Sequence, residues 1–346
     1  MTKNLKLICA LATLLVSTTV ILSCTRTPEP TSPEREITNV TGDLYRFREI
    51  RHIGMFLVTN DGIIVVDPTN PGLAAWLKEE LDRRFGLPVR YVVYSHSHND
   101  HASGGAVFAD TATFVGHRNM RKNLQRPAAD APLLPRERLW DTNGNGRIEF
   151  AEANSYAAQT FDLLGIDASG SLTRSDIWEV RFGGGATRPP DIYYDDELTI
   201  RLGGKTVELH YMGRNHTDDM SVVFFPEERT IYTVDAMTPK RLPFTDLDGA
   251  FLPEWLSWLR QIETLEFDTV SPGHESLGTK ADVTEQIRYM EDLIDAVSAG
   301  IAAGQTKQEV IETVRLGPYS HLQEYDNWLA LNVGGTYEIL VSNSAP

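Results

Sequence analysis

The run "VRYVVYSHSHNDHASGG" (89–105) does most to limit what this chain can become. Its first seven residues read as a buried strand. The strand passes directly into His96, His98, Asp100 and His101, which puts four possible metal ligands within six positions. Such a set is short of a binuclear site, so a site exists only if the rest of the chain brings partners to the same place.

The preceding segments set the architecture. "LYRFREI" (44–50), "GMFLVTN" (54–60) and "GIIVVDPT" (62–69) are short β-rich runs, the last two divided by Asn60, Asp61 and Gly62. "GLAAWLKEELDRRFG" (72–86) carries apolar residues at helical spacing and stops at a glycine. Strand, strand, helix, strand and ligand loop in that order predict an α/β sandwich with its chemistry at strand ends. Further on, "LTIRLGGKTVELHYMG" (198–213) predicts a hairpin, and "DMSVVFFPEERTIYTVDAM" (219–237) two more strands around a turn. An amphipathic helix at 252–265 follows, with Trp255 and Trp258 as core residues, then a strand and loop at 267–275. Residues 281–346 read as mostly helical.

Partners appear in this second half. His216 in "GRNHTDD", Asp235 in "YTVDAM" and His274 in "SPGHE" each sit just past an apolar strand, as His96 does. Here the chain resembles the metallo-β-lactamase superfamily of metallohydrolases over nearly all of residues 43–295, apart from an insertion. "HSHNDH" matches that family's H-x-H-x-D-H signature, and Asp67 in "VVDPT" matches its early aspartate, which orients ligands. The resemblance implies an αββα sandwich in two parts (41–120 and 191–346), a small-molecule substrate and two zinc ions. The imidazole and carboxylate donors also accept iron or manganese. His96, His98 and His216 would hold one ion and leave a position open for water. Asp100, His101 and His274 would hold the second, with Asp235 bridging. Water activated between the two ions would then attack a carbonyl or phosphoryl centre, with metal-bound water or Asp100 protonating the leaving group.

The insertion (121–190) contains "DTNGNGRIEFAE" (141–152), which fits the EF-hand calcium pattern at every fixed position. Side chains of Asp141, Asn143, Asn145, Glu149 and Glu152 and the carbonyl of Arg147 are the expected ligands. A weaker second loop, 165–176, aligns Gly170 with Gly146 and Leu172 with Ile148. It offers Asp167, Ser169, Ser171, Thr173 and Asp176, but begins with Gly165, which has no side-chain oxygen. One helix at about 150–164 serves both loops.

Residues 1–23 have a lipoprotein signal pattern: Lys3 and Lys6, an apolar run over 7–22, and "ILSC" ending at Cys24. The Pro-, Thr- and Glu-rich stretch that follows predicts a tether over 24–40, with Thr25 favouring outer-membrane attachment over an inner-membrane site. An exported, periplasm-facing or outer-membrane protein touching the bilayer only through its lipid is the expectation. The two cysteines, Cys9 and Cys24, fall in this region, so beyond Cys24 the chain has no disulfide, thiolate nucleophile or Cys ligand. The net charge of −16 disfavours nucleic acid as a partner.

Asp235 stands where true zinc β-lactamases of the resembled family carry Cys or Ser, which points to esters, lactones and thioesters, with β-lactams and phosphodiesters as alternatives. "HTDD" departs from the H-T-x-G of glyoxalase thioesterases. A di-iron oxidoreductase and a calcium-dependent binding module are two further readings. His52 and His117 could line the cleft, although a lone histidine is more often an ordinary surface or core residue, and His210 and His321 have no partner motif. "NHT" (215–217) matches a glycosylation sequon, but His216 is better explained as a ligand.

Overall fold

The computed structural model describes residues 34–128, 130–247 and 250–344. The signal pattern and Cys24 lie outside the described residues. Four antiparallel strands open the fold: β1 (Arg35–Thr41), β2 (Leu44–Glu49), β3 (His52–Thr59) and β4 (Gly62–Val66). Helix α1 (Pro71–Phe85) crosses to β5 (Val89–Val93), parallel to β4. Asn70 starts α1 by accepting from the Leu73 amide, and Gly86 ends it at φ 62°. The short helix α2 (Asn99–Ala102) precedes β6 (Thr113–His117), which is parallel to β5.

After α3 (Met120–Asn123) the chain leaves the sheet to form β7 (Ile148–Glu149), α4 (Ser155–Leu164), β8 (Ser171–Leu172) and α5 (Arg174–Arg181). It returns as β9 (Ile192–Tyr194), parallel to β6, and completes a seven-stranded sheet in the order β1-β2-β3-β4-β5-β6-β9. A six-stranded sheet follows in chain order. Its members are β10 (Glu197–Leu202), β11 (Lys205–His210), β12 (Val222–Phe225), β13 (Thr230–Val234), β14 (Thr269–Pro272) and β15 (Gly278–Thr279). Strands β13 and β14 are parallel because α6 (Leu252–Glu263) crosses between them. Helices α7 (Lys280–Ala302), α8 (Lys307–Thr313) and α9 (Tyr325–Ser344) close the chain.

Strand alternation sorts the layers. Phe56, Ile63 and Val65 pack with Leu73, Leu77 and Leu81 of α1. Met55, Leu57, Ile64 and Val66 face the other way and join Val207, Leu209 and Val222 of the second sheet. Trp255, Trp258 and Leu259 of α6 and Leu293 of α7 belong to that same core. The result is the expected αββα sandwich. Its density makes it sensitive: Leu57→Ala, at a fully buried position, costs about 2–5 kcal/mol.

Two expectations need correction. The tether does not reach residue 40, because Arg35–Thr41 pairs with β2, with Ile37 packed on the core and Glu36 bonded to Arg48 at 2.8 Å. The helix of the insertion starts at Ser155 rather than 150. Phe150–Glu152 form a tighter turn, and Asn154 caps α4 by accepting from the Ala157 amide. The insertion has its own small core of Trp140, Ile148, Phe161, Leu172 and Ile177. Ile148 pairs with Leu172 across β7 and β8, as the loop alignment anticipates. Among the described residues no helix is long and apolar enough to cross a membrane.

Candidate metal centre

The seven expected ligands come from two sheets whose strand ends are stitched together. The Ile53 amide donates to the Gly273 carbonyl at 2.9 Å, and the Tyr232 hydroxyl donates to the Ile53 carbonyl at 2.8 Å. The Ser221 amide donates to the Ser95 carbonyl at 2.9 Å. These bonds bring the segment after β5 (His96, His98, and Asp100 and His101 on α2) against the loop with His216. They also bring it against Asp235 after β13 and His274 after β14. Val234 sits at φ 44°, a conformation that β-branched residues avoid, so the turn presenting Asp235 is held against local preference. Gly273 is required by space, since a Cβ there would stand 2.6 Å from the His101 ring.

The donors fall into two groups that share one residue: His96, His98, His216 and Asp235, and Asp100, His101, Asp235 and His274. Asp235 Oδ2 lies 3.6 Å from His96 Nε2, 3.7 Å from His216 Nε2 and 3.3 Å from His101 Nε2. Its Oδ1 is 3.2 Å from His274 Nε2, while Asp100 Oδ2 is 3.4 Å from His101 Nε2 and 3.6 Å from His274 Nε2. His98 Nδ1 faces His216 Nε2 at 3.3 Å. A tetrahedral ion with bonds of about 2.0–2.2 Å sets its donors about 3.3–3.6 Å apart, so these spacings suit such an ion.

Polar satisfaction gives an independent test of fit. His96 Nε2, His101 Nε2 and Asp235 Oδ1 are buried without a hydrogen bond. Groups of this kind are rare in native interiors because each is costly, and a cation among them removes the cost. The opposite ring atoms are held. His96 Nδ1 meets Ser95 Oγ at 3.0 Å, and His274 Nδ1 donates to the Arg51 carbonyl at 2.8 Å. These contacts turn each Nε2 toward the cluster. Asp67 lies behind, accepting from the Ser95 amide at 2.7 Å and its hydroxyl at 2.6 Å, with its Oδ2 3.5 Å from His101 Nδ1.

Charge follows the same division. Burial holds His96 and His98 well below the usual imidazole range, with neighbouring histidines adding to it, so both are neutral and ready to ligate. Burial acts on His101 in the same direction, but Asp235 and Asp100 overcome it and raise its pKa to about 10. Asp67 is pushed up to about 6 by burial, against the pull of His101.

The structure separates the remaining histidines. His52, one of the two that could line the cleft, stands beside the centre: its Nε2 is 3.8 Å from Asp100 Oδ2 and its ring 5.3 Å from that of His274. It gets there because it opens β3, beside the bonds that tie Ile53 to Gly273, and no local pattern marks that. His117 instead stacks on Tyr211 at 3.8 Å, while His210 and His321 pair with Glu208 and Glu285. A cavity of about 310 Å³ opens on His98, with Lys122, Arg136, Arg174 and Arg214 among its lining residues. Phe182, at the end of α5, lies 5.9 Å from the His98 ring, so the insertion supplies part of the wall.

The loop at 141–152 is organised differently. Asp141 accepts from the amides of Asn145 at 3.0 Å and Gly146 at 2.9 Å. Glu152 accepts from the amides of Thr142, Asn143 and Glu149 at 2.9, 3.3 and 3.1 Å. Asn143 and Asn145 each donate to Glu149 at 2.9 Å, and Arg147 reaches Ser171 Oγ at 3.3 Å. In the second loop Asp167 accepts from the Ser169 amide at 2.8 Å, and Asp176 closes a capping box on α5 with Thr173.

Comparison with known proteins gives the family and the fold. The Metallo-beta-lactamase superfamily model matches residues 54–274, and the chain belongs to that superfamily. It is 25% identical over 221 residues to the 2,4-dinitroanisole O-demethylase subunit alpha of a Nocardioides species, covering 62% of this chain and 49% of that one. It is 22% identical over 281 residues to a linear primary-alkylsulfatase of a Pseudomonas species, covering 78% and 50%. The chain thus spans about half the length of both curated relatives. Among solved structures, the fold resembles a metallo-beta-lactamase from Pontibacter korlensis (TM-score 0.52, 15% identity, 75% of this chain and 99% of that). It also resembles the stereoselective inverting sec-alkylsulfatase Pisa1 from a Pseudomonas species (TM-score 0.62, 14% identity, 90% and 52%).

Proposed function

We propose that this protein is an exported, binuclear metal-dependent hydrolase that cleaves an ester-type bond in a small anionic substrate. The observation that carries the reading is the pair of donor groups joined by Asp235 beside a cavity lined by four cationic side chains. Two divalent cations there, zinc in this reading, supply Lewis-acid polarisation and a water nucleophile available near neutral pH. His96, His98 and His216 hold one, Asp100, His101 and His274 the other, and Asp235 both. Asp67 fixes His101 and the Ser95 turn. Asp100, partly exposed and facing His52, His101 and His274 through Oδ2, is also the candidate to hand a proton to the leaving group. Lys122 and Arg214 are matched by Asp218 and Glu254, so Arg174 is the cavity cation left to draw in an anionic substrate, and Phe182 keeps water from the His98 side.

Carboxylic esters, lactones and thioesters remain the bond classes, and the names of two relatives add sulfate esters. The test is acid release at constant pH by the zinc-loaded protein against one member of each class. Turnover of one class that vanishes in Asp100→Asn supports the reading. No acid from any class, with two metals bound, overturns it and brings redox substrates forward.

Two further parts belong to the reading. The loop at 141–152 takes calcium through Asp141, Asn143, Asn145, Arg147, Glu149 and Glu152, with 165–176 as a weaker partner. Calorimetry with calcium chloride showing no heat at millimolar concentration would remove this part. Cys24 carries a lipid; if Cys24→Ala still partitions with membranes, the anchor is wrong.

A further inference from the structure

One face of helix α5 lines the cavity beside the metal centre. Arg174, Ile177, Trp178 and Phe182 all face the cavity, at the spacing of one helical face. Phe182 marks the metal end, 5.9 Å from the His98 ring. Arg174 is eight residues earlier, about 12 Å along the helix axis, and helical side chains lean further toward the N-terminus. On this face of the helix Ile177 and Trp178 stand between the two, and Leu134 and Phe251 add apolar surface, while Glu137, spent on the Leu134 amide at 2.7 Å, and Asp218 also line the cavity. Trp178 spends its indole N–H on the Asn123 carbonyl at 2.8 Å, leaving no polar claim on the cavity.

The cations of this cavity differ in how they are satisfied. Lys122 pairs with Asp218 at 2.7 Å, and Arg214 pairs with Glu254 at 2.8 Å. Arg136 reaches the His216 carbonyl at 3.5 Å. Arg174, half-buried, makes no ion pair or hydrogen bond to any described residue. A guanidinium beyond the apolar side chains of Ile177 and Trp178 is suited to one kind of guest: an oxygen anion on a hydrocarbon arm, bound by two parallel N–H donors.

We propose that the cavity accepts a substrate with a straight apolar arm, about eight to ten carbons from end to end with both end groups counted, that ends in a carboxylate held by Arg174. The opposite end of the arm carries the scissile bond at the metal centre. The proposal rests on the hydrolase reading only for which end reacts; the recognition of the far anion stands without it.

The test uses product-like probes of one length, octanedioate against octanoate, with butanedioate as the short control. Binding to the zinc-loaded and the metal-free protein is measured by calorimetry. Octanedioate should bind about tenfold to a hundredfold more tightly than octanoate in both forms. Arg174→Gln should erase that difference while leaving octanoate within about twofold, and Arg174→Lys should keep the preference for the dicarboxylate. Butanedioate, too short to reach from the metal end to Arg174, should be insensitive to its replacement. Equal binding of octanedioate and octanoate by the wild type would overturn the proposal. So would equal weakening of both in Arg174→Gln. Absence of turnover on any ester with this increment intact would sink the hydrolase reading alone.

Discussion

At the strand ends, Nε2 of His96 and both ring nitrogens of His101 are buried without hydrogen bonds. In the loop at 141–152, the carboxylates of Asp141 and Glu152 accept backbone amides. Both regions are rich in donors for a cation, yet only one is unsatisfied without it. Each buried unpaired polar atom costs about 1–3 kcal/mol, so the rest of the fold must impose the strand-end arrangement. The loop satisfies itself and holds its shape locally. On the proposed reading, a cation would matter for chemistry at the first and would add stability at the second.

The sharpest way to break this comparison is to remove the shared ligand. Asp235→Asn should lower bound transition metal below two per chain and cut turnover by more than about a hundredfold, the scale that loss of a ligand's supporting partner alone can reach. Metal analysis with kcat/KM on the same preparation checks both. Two full metals and near-normal turnover would mean that Asp235 is not the common ligand.

Asp67→Asn asks whether the frame behind the ligands is as important as the geometry implies. It keeps the shape but weakens the hold on Ser95 and His101, and a loss of about 10–100-fold in metal affinity is expected. Competition with a chromophoric chelator measures it. An unchanged affinity would reduce Asp67 to a folding residue.

His101 ties the centre to pH. Its pKa is raised from 6.5 to about 10 in the metal-free fold, so that fold holds a proton there at neutral pH. The stability this proton gives is fully present below pH 6.5 and lost as pH rises through 10. A metal must displace it, so apparent metal affinity should rise about tenfold per pH unit up to that point and then level off. Metal addition in weak buffer at neutral pH should release about one proton for this residue. No release would mean that His101 is already neutral and the acidic neighbours count for less than their distances suggest.

How much of this was readable in the sequence follows from locality. The residues of the two donor groups lie just past apolar strands, so a motif and an ordered set of strand ends were enough to name the seven that the fold brings together. The layers followed from alternation such as Met55 and Leu57 against Phe56. That His52 and not His117 joins the centre was not readable, nor was the cavity wall, because both depend on long-range docking. The Ile53–Gly273 bond carries His52 to the centre, and the packing of α5 brings Arg174 and Phe182 to the cavity. The β1 strand was missed for a related reason: its seven residues alternate only weakly, and pairing with β2 decides them.

The smallest effect tests the loop's side of the comparison. Glu152→Gln keeps the side chain's length and removes the charge that collects the amides of Thr142, Asn143 and Glu149. Neighbouring amides can turn to water, because the loop is exposed, so the loss should be about 1 kcal/mol, or about 2 °C in melting temperature. Turnover should stay within about twofold, because Ile148, Leu172 and Ile177 hold β8 and α5 in place by apolar packing that the charge does not touch. Calcium should raise the melting temperature of the wild type and not of the variant. If turnover instead falls with the melting point, the loop and the cavity wall move together, and the division between a self-satisfied loop and an imposed centre fails.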